Sequence, residues 1–131
     1  MPETLLYTGA GAWNEFFIFI VVAWIVALIG DTAILTVSGW KNFNDAFGDA
    51  FIANVASAGA FLILFSGGLF SELSEPLFYT LIPFNFVLIE GILLNSRRGQ
   101  NSKLRAWILA AGMNAATSLL IAVFFLILRV I

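Results

Sequence analysis

The chain has 131 residues, of which 61% are hydrophobic and only 11% charged, with a net charge of −2, a mean hydropathy of +1.00, and neither cysteine nor histidine. A soluble fold of this size has too little interior to hide so much apolar surface, and the same composition excludes a disordered chain and a basic nucleic-acid-binding face. Without Cys or His, disulfides, thiol or imidazole catalysis, ordinary zinc sites, iron–sulfur clusters and His-ligated haem are excluded, so no cofactor and no metal centre is expected.

Four apolar runs approach the ~20 residues that cross ~30 Å of hydrocarbon: about 16–37, 50–70, 77–95 and 106–130. Each is too long and too continuously apolar for the alternation of a membrane β-strand. The expectation is an all-α integral membrane protein, one domain over 1–131, with four transmembrane helices in an up-down bundle. The runs leave a 15-residue N-terminal arm and loops of 12, 6 and 10 residues. Met1–Asn14 carries Glu3 and no Lys or Arg, which is not how a cleavable signal begins.

Alternating spans place loops 38–49 and 96–105 on one side, with Lys41, Arg97, Arg98, Lys103 and Arg105; the other side has Arg129 alone. The positive-inside rule then makes both loops cytoplasmic and both termini non-cytoplasmic. The stretch SRRGQNSKLR is read as a topology determinant rather than a lipid-headgroup site, being barely large enough for the latter. Trp13 falls near the outer boundary and Trp40 and Trp107 near the inner one, as in interfacial aromatic belts. Pro76 opens the third span behind Ser74 or Glu75 as cap, and Pro83 is expected to kink it by freeing the Tyr79 carbonyl.

The informative residues are the polar ones inside the spans: Asp31, Asn54, Asn85, Glu90 and Asn114. At ~1.5 Å per residue from the cytoplasmic ends, Asp31, Asn54, Glu90 and Asn114 fall roughly 6–12 Å deep, one per helix in a common slab; Asn85 lies nearer mid-membrane. Polar groups in lipid are expensive, so these should face one another or a water-filled cavity. Ser57, Thr117 and Ser118 sit within a turn of the asparagines and are candidates to join them. Small residues crowd the inner halves of the second and fourth spans, which fits either close helix packing or a pocket open to the cytoplasm. A weak internal repeat runs through the layer: with an ungapped shift of 60, Ala27–Asp31 (ALIGD) aligns with Val87–Gly91 (VLIEG), and Asn54–Ser57 with Asn114–Thr117.

No nucleophile–base pair, intramembrane lysine or phosphate-cradling glycine loop is present, so enzymatic activity is not expected; a lipid-modifying enzyme using Asp31 or Glu90 as base ranks last. The leading expectation is a non-enzymatic membrane subunit that assembles with copies of itself or with other membrane proteins through small-residue faces and the polar layer. The alternative is a small oligomeric cation or proton channel or transporter with Asp31 and Glu90 as ligands and Asn54, Asn114, Ser57 and Thr117 as neutral partners. Expected partners are the lipid bilayer and other membrane subunits, and no nucleic acid.

Overall fold

The computed structural model describes the backbone of residues 2–66 and 75–130, and the side chains of 14, 15, 17–64, 83–124, 126 and 127. Among these, the protein is all-helical: α1 (Pro2–Val37), α2 (Phe43–Ser66), α3 (Glu75–Ser96) and α4 (Lys103–Val130). Three helices carry stretches long and apolar enough to cross a membrane, Phe17–Val37, Phe43–Leu64 and Lys103–Phe124; in α3 the described apolar stretch, Pro83–Ser96, is shorter. The helix continues through Pro83 without interruption. The side chains of Trp13, Pro76 and Tyr79, and Ser74 altogether, lie outside the described residues.

The expected loops of 12 and 10 residues shrink to five (38–42) and six (97–102), because backbone capping extends the helices beyond the apolar runs. Helix α1 ends in a Schellman motif. Gly39 takes the left-handed conformation (φ 69°), its N–H bonds the Thr36 carbonyl at 3.0 Å, and the Trp40 N–H bonds the Leu35 carbonyl at 3.0 Å. Leu35 and Trp40, the two residues whose contact completes that motif, both sit in the core. Two residues later Asn42 caps α2, its Oδ1 accepting the Asp45 N–H at 2.9 Å and its Nδ2 donating to Asp45 Oδ2 at 2.9 Å. In the second turn Gly99 is left-handed (φ 58°) and Ser102 Oγ caps α4 by accepting the Arg105 N–H at 3.1 Å.

The helices pack in the ring order α1–α2–α3–α4, each against its two neighbours and none across the diagonal among the described residues. Neighbours are antiparallel: the start of α2 meets the end of α3 through Asp49 and Arg97, and the start of α4 meets the end of α1 through Arg105 and Ser38. Inside, the small residues of α2 and α4 let the helices close. Ala46, Ala50, Ala53, Ala106, Ala110 and Met113 are fully buried with Leu35 and Leu94. Packing, rather than a pocket open to the turns, is therefore what these small residues provide. Outside, every helix presents apolar side chains, among them Ile29 (65% exposed), Leu62 (63%), Phe84 (63%) and Leu119 (66%), so the bundle is apolar on its surface as well as in its core.

The two hairpins repeat each other more closely than an ungapped alignment shows. Helices α2 and α4 start 60 positions apart, their caps Asn42 and Ser102 are 60 apart, and so are the two left-handed glycines. Their inward residues correspond one for one: 46, 50, 53, 54 and 57 with 106, 110, 113, 114 and 117. Helices α1 and α3 instead end 59 positions apart, and their buried sets match at 59: Asp31 with Glu90, Leu35 with Leu94. One extra residue in the second turn accounts for the slip, so Asp31 is the counterpart of Glu90 and not, as the ungapped shift has it, of Gly91.

At the turn end one acid departs from this correspondence. Asp49 is buried (1% exposed) and accepts from Trp40 Nε1 at 3.0 Å, Lys41 Nζ at 2.7 Å and Arg97 Nε at 2.5 Å; its counterpart in the second hairpin is Leu109. Trp40, expected in an interfacial belt, is thus turned inward at 2% exposure with its indole N–H on Asp49, because a buried carboxylate offers it a stronger acceptor. Trp107 is half-buried, its ring against Gly91, where a Cβ would lie 2.2 Å from it. The basic segment is largely tied into the fold: Arg98 donates to Asn95 Oδ1 at 2.7 Å, Arg105 to Asn101 Oδ1 at 2.8 Å and to the Ser38 carbonyl, and Asn101 Nδ2 donates to the Trp40 carbonyl at 2.8 Å. Since Lys41 and Arg97 reach solvent while Asp49 does not, stripping both cations strands a buried charge. Lys41→Met with Arg97→Met should therefore cost about 3–5 kcal/mol, whereas Asp49→Leu, which copies Leu109, should cost less; thermal unfolding in mild detergent measures the difference.

Candidate functional site

The polar residues singled out from sequence converge inside the bundle. On α1, Asp31 is 2% exposed; on α3, Glu90 is 3% exposed. Each lies six residues from the turn end of its helix, about 9 Å along the axis. Asn54 and Asn114 lie eleven residues into α2 and α4, about 16 Å at the same rise. The greater depth reflects the earlier, capped start of these two helices, and it leaves the four side chains at one level.

Asn54 Nδ2 donates to Asp31 Oδ2 at 2.7 Å across the α1–α2 interface, and Asn114 Nδ2 donates to Glu90 Oε2 at 2.6 Å across α3–α4. Each amide also donates to the carbonyl four residues back in its own helix, Ala50 and Ala110, both at 2.9 Å. That second bond fixes the rotamer and aims the remaining N–H at the acid. The hydroxyls complete the figure. Ser57 Oγ donates to Glu90 Oε1 at 3.4 Å across α2–α3, and Thr117 Oγ1 donates to Asp31 Oδ1 at 3.3 Å across α4–α1.

The result is a closed ring with one hydrogen bond across each of the four helix interfaces. Each carboxyl oxygen accepts one of these bonds. The amide of each hairpin binds the acid of the same hairpin, at short distance, and its hydroxyl reaches the acid of the other at longer distance. All six residues expected at the site are in this ring. Ser118 is not: it is exposed on the outer face of α4, one residue and 100° round the helix from Thr117. Asn85 lies outside it too, its Nδ2 buried without a hydrogen-bond partner among the described residues.

The charge balance is the most informative feature. Asp31 and Glu90 have only neutral partners among the described residues, whereas Asp49, the other interior acid, is met by Lys41 and Arg97. A buried carboxylate is stable only when a cation or strong donors offset its lost hydration. Four neutral hydrogen bonds, two of them long, do this incompletely. Between ring and turns lies the tightly packed layer of Ala50, Ala53, Ala106, Ala110, Met113, Leu35 and Leu94. On the other side α1 and α4 leave a small notch lined by apolar groups such as Phe19, Val26, Leu120 and Phe124. The ring is thus closed to water on the turn side by close packing.

Asp49 was not singled out from sequence. Its signal is an acid one turn after Asp45, on the side otherwise marked by basic residues, but its cationic partners lie 8 and 48 positions away in sequence. For the ring, removing either short amide bond, Asn54→Ala or Asn114→Ala, should lower stability by about 0.6–1.7 kcal/mol each, between the average and the maximum measured for interhelical polar bonds in membranes. The two losses should be alike because the half-sites correspond, and unfolding of the two variants in the same detergent checks this. No family model matches the chain, and neither the curated proteins nor the solved structures compared with it include a match.

Proposed function

We propose that the protein is a non-enzymatic, multi-pass membrane protein that holds and exchanges a small cation at the Asp31–Glu90 ring, acting as a carrier or channel of the proton or monovalent-cation class. One observation carries this reading: two acids buried inside the bundle, each with every carboxyl oxygen hydrogen-bonded, and neither with a basic partner among the described residues. A purely structural cluster is served at lower desolvation penalty by amides and hydroxyls, and intramembrane acids are expensive wherever they occur. The packed layer toward the turns makes this an occluded arrangement, which suits a site that loads on one side and unloads on the other. Four spans, with the turns 38–42 and 97–102 cytoplasmic, follow from the hydropathy and the basic residues Lys41, Arg97, Arg98, Lys103 and Arg105.

Assembly with other membrane proteins or with a second copy is the other reading, and a separate feature favours it. Ala111, Ala115, Ser118 and Ala122 form a stripe of small residues exposed on the outer face of α4, where a neighbouring helix can approach closely. The polar layer takes no part in this, since its bonds close within one chain.

In liposomes, the purified chain should dissipate a proton or monovalent-cation gradient, and Asp31→Asn and Glu90→Gln should each reduce the flux at least tenfold while leaving the protein folded. Wild-type liposomes that leak no faster than empty ones would sink the transport reading. For the orientation, Gln100→Cys in this cysteine-free chain should react with a membrane-impermeant maleimide from the cytoplasmic side; labelling from the opposite side reverses the topology.

A further inference from the structure

The ring's donors differ in what they can do when an acid changes its charge. Each amide has both N–H bonds engaged, one on an acid and one on a carbonyl of its own helix, and turning its acceptor oxygen to the acid would break the bond to that carbonyl and set two oxygens against each other. A hydroxyl has one rotatable hydrogen and two lone pairs, so it can donate to a carboxylate or accept from a carboxylic acid. Ser57 and Thr117 are the two groups in the ring with that freedom toward Glu90 and Asp31, and theirs are the two long bonds, 3.4 and 3.3 Å. When they turn to accept, their hydrogens need a new acceptor. The carbonyl four residues back supplies one, as it already does in this protein for Thr32 (onto Leu28, 2.7 Å) and Thr36 (onto Thr32, 2.7 Å).

We infer that the cation held by the ring is a proton, and that Ser57 and Thr117 are the positioning residues that let Glu90 and Asp31 carry it without opening the ring. The inference rests on the proposed cation site. Geometry favours the proton over a metal ion: the two amides aim N–H hydrogens, not lone pairs, at the carboxyl oxygens by the two short bonds of the ring, and a metal would have to displace them. A proton needs one O–H on each loaded acid and one hydroxyl willing to accept it, and both half-sites have that set. The donors on Asp31 come from α2 (Asn54) and α4 (Thr117), and those on Glu90 from α2 (Ser57) and α4 (Asn114). Among the described residues neither acid is met by a cation, the cations Lys41 and Arg97 being engaged by Asp49. Because each hydroxyl sits on the opposite hairpin from the acid it touches, loading one hairpin reverses a bond held by the other.

Infrared spectroscopy of the full chain in nanodiscs, titrated with acid, tests this. Two carboxylic C=O bands should grow as the ring takes up protons, one absent in Asp31→Asn and the other in Glu90→Gln. Ser57→Ala should shift the Glu90 band and not the Asp31 band, Thr117→Val should do the converse, and Ser57→Thr and Thr117→Ser, which keep the hydroxyl, should restore the wild-type positions. Bands unmoved by loss of the hydroxyls would overturn their assigned role, and bands that respond to sodium or potassium rather than to pH would overturn the proton. If the bands behave as expected but liposomes show no flux, the transport reading fails and the proton site stands.

Discussion

Two carboxyl groups enclosed by neutral donors set the terms for the rest of this bundle. Hydration lost on burial has to be replaced, and inside a helical bundle the replacement must come from other helices. The ring meets this demand with one link per interface, so its chemistry and the helix arrangement are a single solution. Moving any helix by a turn would break two of the four links at once. The ring order, without diagonal contacts among the described residues, leaves each acid flanked by donors from both neighbouring helices.

The alanines between ring and turns make this possible. Helix axes can approach only where side chains are short, and a short side chain such as Ser57 can reach an acid on the next helix only if the axes are close. Ala46, Ala50 and Ala53 run down the same face of α2 as Ser57, and Ala106 and Ala110 down the same face of α4 as Thr117. Many bulky residues, Ile29, Leu62, Phe84 and Leu119 among them, point outward, so the outer surface is apolar as well as the core. A water-soluble bundle differs in this, since there burial and hydrophobicity coincide.

Much of this was legible beforehand, for physical reasons. Hydropathy located four helices, and the rise per residue put the polar side chains of four different helices at one level without any knowledge of their contacts. Helices α2 and α4 begin ahead of the apolar runs at about 50 and 106, because Asn42 and Ser102 cap from within polar stretches that read as loop. Pairing within the ring was not legible: which acid an amide meets depends on helix rotation, which an all-round apolar sequence hardly constrains. The repeat was visible at Asn54 and Asn114 but misregistered at the acids, since a single residue added to the second turn displaces α3 relative to α4 and leaves no compositional trace. Asp49 stayed hidden because its burial and its pair with Arg97 arise only once the two turns come together.

That one residue of difference sits beside a second departure from symmetry, the exchange of Asp49 for Leu109. At one corner the turns are clamped by charges that reach the aqueous phase through Lys41 and Arg97; at the corresponding corner Leu109 packs against the core instead. Dissolved salt weakens the first clamp and leaves the second untouched. A molecule nearly two-fold in its dry middle is therefore lopsided where it meets the bathing solution, and rising ionic strength loosens its first corner before its second.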